Sequence, residues 1–235
     1  KSLKKCYFTD YRFSEDLDFT LLDSNFVVDS NFLQKIIKKA TGNSGVKFHL
    51  FKQKFQKSED EEQGYEIKLK YWGADHKPNK APLPPDRWLT LIKLDINFTE
   101  KLLTEPTQKG IIHEYSDKDI ISQIIPVYSL SEVISEKLRS LIQRNRPRDI
   151  YDIWNIADYF SEQEYSHIKK LLLEKAEDKN IVISNVSDLV NAEKARKNKR
   201  AWQSSLGGHL PLGELPEFDL VYNKIKQFIE NILNA

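Results

Sequence analysis

The chain has 235 residues, 36 of them basic and 35 acidic, for a formal net charge of +1, with 40% hydrophobic and 11% aromatic residues. That is a globular composition with ample material for one large domain or two small ones, and it lacks the global field that would by itself indicate nucleic-acid binding. Cys6 is the only cysteine, which excludes intrachain disulfides and cysteine-rich zinc sites and fits a reducing compartment.

No apolar run reaches the roughly 18 residues of a membrane span, and "KSLKKCYF" lacks the apolar core of a signal peptide, so a cytoplasmic protein without a membrane partner is expected. The sequence contains no methionine, so residues upstream of Lys1 are expected to have been removed or omitted.

In chain order, "RFSEDLDF" (12 to 19) comes first. As an extended segment it puts Asp16 and Asp18 on one face and Leu17 and Phe19, with Glu15, on the other. Two carboxylates on one rigid face repel unless a cation, an arginine or a proton offsets them. The pair is therefore either a metal seat or part of a solvated edge strand whose aspartates cap a turn. "NFLQKIIKKATG" (31 to 42) has helical apolar spacing and a glycine stop. "VKFHLFKQKF" and "YEIKLKYWG" alternate on either side of "QKSEDEEQG", a hairpin with an acidic tip. "HKPNKAPLPPDR" (76 to 87) contains four prolines and reads as a loop or lid. "WLTLIKLDINF" (88 to 98) places Ile92, Leu94, Ile96 and Phe98 on one face and Leu91, Lys93, Asp95 and Asn97 on the other. Residues 99 to 124 show no clear period, and "IIPVYSL" (124 to 130) is a strand or an extended lead into a helix. Helices follow at about 131–144, 148–160, 162–177, 187–205 and 217–233. Strands first and helices afterwards predict an α+β protein.

Charges intrude on two of these helical faces. In "SLSEVISEKLRSLIQRNRPRDIYDIW", Ser129 or Ser131 suits the N-cap, and Val133, Ile134, Leu138 and Leu141 form the apolar stripe. Lys137 interrupts that stripe, and Arg144 projects from nearly the same side. Pro147 opens the next helix, where Asp149 borders the stripe of Ile150, Ile153, Trp154 and Ala157, with Asp152 one turn on. Lys137 and Asp149 form either a partly buried salt bridge or part of an active site. With the strand acids they offer equipment for a polyphosphate: carboxylates for Mg²⁺, cations for the remaining phosphate charge.

"YRFSEDLDFTLL", "IKLDINF" and "SLSEVISEKLRSLIQRNRPRDIYDIWNI" resemble, in order, the motifs of the AbiEii nucleotidyltransferase family, which includes toxins of bacterial abortive-infection and toxin–antitoxin systems. The resemblance covers Arg12 to about Ile156. It implies a polymerase-β-like minimal nucleotidyltransferase core with a mixed sheet, over about 1–130, followed by a helical C-terminal domain over 131–235 that contributes Lys137 and Asp149. It further implies transfer of a nucleoside monophosphate from an NTP to an acceptor hydroxyl, for some members the 3′ end of tRNA, and a cognate antitoxin as partner. Carried over residue by residue, Asp16 and Asp18 match the metal-binding pair, which would hold two Mg²⁺ ions. Asp95 matches the third strand acid, Lys137 the lysine at the triphosphate, and Asp149 the aspartate near the reaction centre. Arg12, Arg144, Arg148 and Asp152 match the surrounding nucleotide-binding pattern. One departure concerns the Gly-Gly-Thr/Ser loop with which the family's first motif begins. This chain opens where that loop should end, so Ser2 or Lys1 stands at its hydroxyl position.

"NAEKARKNKRAW" (191 to 202) carries Lys194, Arg196, Lys197, Lys199 and Arg200 ahead of Trp202. It is either a surface for an RNA backbone or a solvated helix face. A protein or small-molecule acceptor, and a catalytically impaired nucleotide- or antitoxin-binding module, are the rival readings.

Overall fold

A computed structural model describes residues 2–14, 16–23, 25–57, 63–73, 81–114 and 123–235. The tip of the expected acidic hairpin, the first part of the proline-rich loop, and Glu15 with its expected facing lie outside the described residues. The expected α+β architecture with a mixed sheet is observed. The chain forms two compact units, one spanning residues 15–100 and the other Ser2–Ser14 with Lys101–Ala235. This division differs from the expected 1–130 and 131–235, because the N-terminal segment and residues 101–130 belong with the helices.

The first unit is a four-stranded sheet in the order β1-β4-β3-β2, made of β1 (Asp16–Thr20), β2 (Lys47–Lys57), β3 (Gln63–Trp72) and β4 (Leu91–Asn97). β1 runs parallel to β4, and the other neighbours are antiparallel. Helix α1 (Ser30–Ser44) starts where the Asp29 carboxylate accepts from the Phe32 amide at 2.7 Å. It stops at Gly45, whose φ of 69° lies where a side chain is disfavoured. Val28, Leu33 and Ile67 form the buried centre of this unit's core, flanked by Phe32, Leu50, Tyr65, Leu69, Leu94 and Ile96. The expected alternation of β4 is thereby realised, with Ile92, Leu94 and Ile96 opposite the β3 residues Leu69, Ile67 and Tyr65. The expectation that Leu17 and Phe19 pack on a core needs correction: Leu17 is partly buried, but Phe19 is 50% exposed. The reason is topological, since β1 is an edge strand and α1 packs along β2 at the opposite edge.

The second unit is helical: α2 (Leu130–Gln143), α3 (Pro147–Ala157), α4 (Glu162–Asp178), α5 (Val186–Leu189), α6 (Ala192–Leu206) and α7 (Phe218–Asn234). Ile134, Leu138, Leu141, Ile150, Ile153, Ile156, Leu172, Leu206, Ile225 and Ile232 are fully buried in its core. A two-stranded sheet, β5 (Thr107–Gly110) with β6 (Ile124–Val127), precedes the helices. The polar "TQKG" of β5 carries no alternation, which is why it left no signal in the sequence. A short π-type helix, Leu3–Tyr7, joins this unit by burying Leu3 and by donating the Tyr7 hydroxyl to the Tyr128 carbonyl at 2.6 Å. The helix expected over 187–205 divides into α5 and α6, because Asn191 caps a new start by accepting from the Lys194 amide at 3.0 Å.

Candidate active site

In the first unit the acids are set by strand register. Alternation along β1 places Asp16 and Asp18 on the polar face, and parallel pairing sets Asp16 opposite Lys93 and Asp18 opposite Asp95. Antiparallel β3 adds Glu66 opposite Asp95 and Lys68 opposite Lys93. Lys93 Nζ lies 2.8 Å from Asp95 Oδ2 and 3.6 Å from Glu66 Oε2, and Lys68 Nζ lies 3.2 Å from Glu66 Oε1. The Lys93 pKa is raised, first by its hydrogen bond to Asp95 against some burial, then by the charges of Asp95, Asp16 and Glu66. The Glu66 pKa is lowered, chiefly by its hydrogen bond to Lys68. Lys93 is thus a resident cation within a group of carboxylates.

Among the described residues, no three His, Cys, Asp or Glu side chains gather closely enough to form a metal cage. The donor set nevertheless suits Mg²⁺, which takes hard oxygen ligands and usually needs only one or two carboxylates, completed by water and substrate phosphates. Asp16 and Asp18 offer two such carboxylates on one strand face. Asp18 is exposed and Asp16 partly so, and the direct opposition of Asp18 and Asp95 is a like-charge pair that a cation would relieve.

In the second unit, Lys137 of α2 reaches across to α3, with Nζ 2.7 Å from Asp149 Oδ1 and 2.9 Å from Asp152 Oδ2. Arg144 donates to both Asp149 oxygens, at 3.0 and 3.2 Å. Arg12 forks onto Asp152 with two bonds of 2.7 Å, and the Tyr11 hydroxyl adds a third at 2.8 Å. Burial alone would raise the Asp152 pKa, but Lys137 and Arg12 outweigh it and hold the carboxyl at about 2. Burial likewise works against the Lys137 ammonium, and Asp152 and Asp149 more than offset it, leaving the pKa raised. Burial, and then the Asp152 charge, push the Tyr11 phenol well above its ordinary value, so it stays a donor.

The network holds three cations, Arg12, Lys137 and Arg144, against two carboxylates, Asp149 and Asp152. The surplus positive charge faces outward. The Arg144 side chain is 45% exposed and that of Lys137 20%, while both aspartates are almost fully buried.

This geometry revises several sequence expectations. Arg12 forks onto Asp152, which Tyr11 and Lys137 also engage, and the pair clamps the N-terminal segment to α3 inside the unit. Asp149 spends both oxygens on Lys137 and Arg144. Arg148 is not in the network: its guanidinium points to the Ser205 carbonyl at 3.4 Å and to His209 Nε2 at 2.5 Å. Ser2 precedes the Leu3–Tyr7 helix and makes no side-chain capping bond there. On α6, Lys194 turns inward to the carbonyls of Leu141, Asp188 and Leu189 at 2.9, 2.5 and 3.3 Å, so it is not an RNA contact. Trp202 is buried, with its indole N–H on the Pro216 carbonyl at 2.8 Å. Arg196, Lys197, Lys199 and Arg200 are exposed, with Lys197 on Glu193 and Lys199 on Asp219. Sequence reading missed Glu66 and assigned Lys93 no role. Their alternation with apolar neighbours was visible, but their position beside Asp95 depends on strand pairing.

Residues 2–224 match the family model described as the nucleotidyl transferase AbiEii toxin of type IV toxin–antitoxin systems. No curated protein matches the sequence. Among solved structures, MenT4, a nucleotidyltransferase toxin from Mycobacterium tuberculosis H37Rv, is similar in fold at 16% identity and a TM-score of 0.63, over 100% of this chain and 73% of that one.

Proposed function

Because the chain belongs to the AbiEii nucleotidyltransferase toxin family of type IV toxin–antitoxin systems, we propose that it transfers a nucleoside monophosphate from an NTP to RNA, at a tRNA 3′ end, with Mg²⁺ as cofactor. The observation that carries this reading is the register that sets Asp16 and Asp18 on one strand face directly beside Asp95. Asp16 and Asp18 would hold Mg²⁺, which when bound would supply Lewis-acid stabilisation of phosphate charge and of the ionised acceptor oxygen.

The remaining chemistry falls to the chain's own groups. Asp16 and Asp18 supply the carboxylates that hold the cofactor, and Asp95 takes the proton of the acceptor hydroxyl. The acceptor oxygen forms its bond to the α-phosphorus as the bond to pyrophosphate breaks, and the leaving group carries away the displaced electron pair. In the second unit, taken by itself, Lys137 and Arg144 are the surplus cations of their network and suit phosphate oxygens. Asp149 orients both of them, and Asp152 with Arg12 fixes the helix that carries Asp149. We assign the protein to the cytoplasm, with an antitoxin as its partner; no helix among the described residues is long and apolar enough to cross a membrane.

The test is to incubate the chain with each α-labelled NTP, total RNA and a protein mixture, with and without Mg²⁺. Label entering RNA only when Mg²⁺ is present supports the proposal. Label entering protein instead, or entering RNA equally under chelation, contradicts the acceptor or the cofactor respectively.

A further inference from the structure

The polar face of the first unit carries a charge pattern that the chemistry above does not use. Strand pairing lines up Lys52 of β2, Lys68 of β3 and Lys93 of β4 on one rung that ends at Asp16 of β1. The next rung is Lys54, Glu66, Asp95 and Asp18. Like charges directly opposite one another across a sheet are destabilising, and the first of these rungs sets three lysines in succession. Glu66 offsets Lys68 and Lys93 at 3.2 and 3.6 Å. Lys52 interacts with it only as a more distant charge. Lys52 and Lys54 are exposed. Helix α1 packs against the apolar core on the opposite face, so among the described residues no helix of this unit covers the rung.

An aromatic ring accompanies the lysines. A register shift between Leu50 and Lys52 inserts Phe51 as an extra residue in β2. Phe51 is 52% exposed, and Lys70 Nζ lies over its ring, 4.3 Å from the centroid. Lys70 is two residues from Lys68 and therefore on the same face. A cationic track with an exposed aromatic beside it is the pattern that holds single-stranded nucleic acid: the lysines follow the backbone and a base stacks on the ring.

With neighbouring strands about 4.8 Å apart, the rung from Lys52 to the β1 acids spans roughly 14 Å. That length suits an extended chain of nucleotides whose backbone meets successive lysines.

We propose that Lys52, Lys54, Lys68 and Phe51 form the docking track for the single-stranded 3′ segment of an RNA acceptor, leading its terminal hydroxyl toward Asp16, Asp18 and Asp95. This rests on the RNA-acceptor reading above and adds the surface that receives the RNA. Lys52 and Lys54 steer and hold the backbone, Phe51 stacks a base, and Lys68 lies between them and the acids.

The experiment measures binding of a fluorescent single-stranded RNA of about 12 nucleotides across about 50 to 200 mM salt. It compares the unaltered chain, Lys52→Gln/Lys54→Gln and Phe51→Ala, with thermal melting to verify folding. The double variant should lower the slope of log affinity against log salt by about 1.4, two lost single-strand contacts at about 0.7 each. Phe51→Ala should weaken binding at least about fivefold with the slope retained. In the transfer assay both variants should raise KM for RNA with little change in kcat. An unchanged slope and KM in the double variant, while the unaltered chain still labels RNA, overturns the track and leaves the acceptor reading standing. If the unaltered chain labels protein and not RNA, the acceptor reading fails and the track fails with it.

Discussion

Asp152 accepts hydrogen bonds from Tyr11 and Arg12 and an ion pair from Lys137 while itself almost fully buried. Removing one partner of such a group strands the others, which typically costs about 3–5 kcal/mol. Asp152→Asn should therefore lower the unfolding free energy of the helical unit by that order, measured by urea titration. The depressed pKa adds a pH signature with a definite sign. The folded carboxyl titrates near 2 and the unfolded one near 3.8. The stabilisation is therefore fully present above about pH 4 and is lost as pH falls through 2, on the order of 2 kcal/mol in all. The variant should show no such loss between pH 4 and 2; an unaltered acid-unfolding curve would remove Asp152 from this role. Asp16, Asp18, Lys137 and Asp149 could be picked out of single segments: alternation puts the first two together on one strand face, Lys137 interrupts an apolar helical stripe and Asp149 borders one. Glu66 and Lys93 could not, since their roles arise from β3–β4–β1 register. The commitment of Arg12 to Asp152 was equally hidden, because the partners lie 140 residues apart.

At the scale of elements, Lys194 shows how a basic run can mislead. Its ammonium gathers carbonyls from the ends of α2 and α5, a use of lysine favoured where helices leave unpaired acceptors. Burial lowers its pKa. Lys194→Met should cost about 1–3 kcal/mol of stability by leaving those carbonyls unsatisfied, with RNA affinity unchanged; the reverse pattern in melting and binding data would return Lys194 to the surface. Gly64 constrains the sheet in a different way. A Cβ there would stand 2.1 Å from the Ile96 carbonyl oxygen, so Gly64→Ala must push β3 from β4 next to Asp95. It should lower both the melting temperature and transfer activity, whereas Gly110→Ala, in open space, should lower neither. Element types and most boundaries were legible from periodicity and caps. The break at Val190–Asn191 was not, because the apolar spacing continues across it while the Asn191 cap restarts the helix.

For the whole molecule, the two units differ in how much apolar surface they bury. The first closes around Val28, Leu33 and Ile67; the second has a continuous core running from Leu3 to Ile232. Native-state hydrogen exchange should accordingly show β1–β4 opening at a lower free energy than α2, α3 and α7, and equal protection in both units would contradict this. The sequence order of strands and helices conveyed the α+β class. It did not convey that residues 2–14 join the helical unit, because that depends on Leu3 and Tyr11 entering a core built some 120 residues later.

The central claim is that Asp16 and Asp18 are the seat of nucleotidyl transfer, and replacing Asp18 with Asn tests it most directly. The side chain is exposed on an edge strand, so melting temperature should be nearly unchanged. Transfer from α-labelled NTP should fall below detection. Undiminished transfer by a folded Asp18→Asn protein would contradict the assignment of the site.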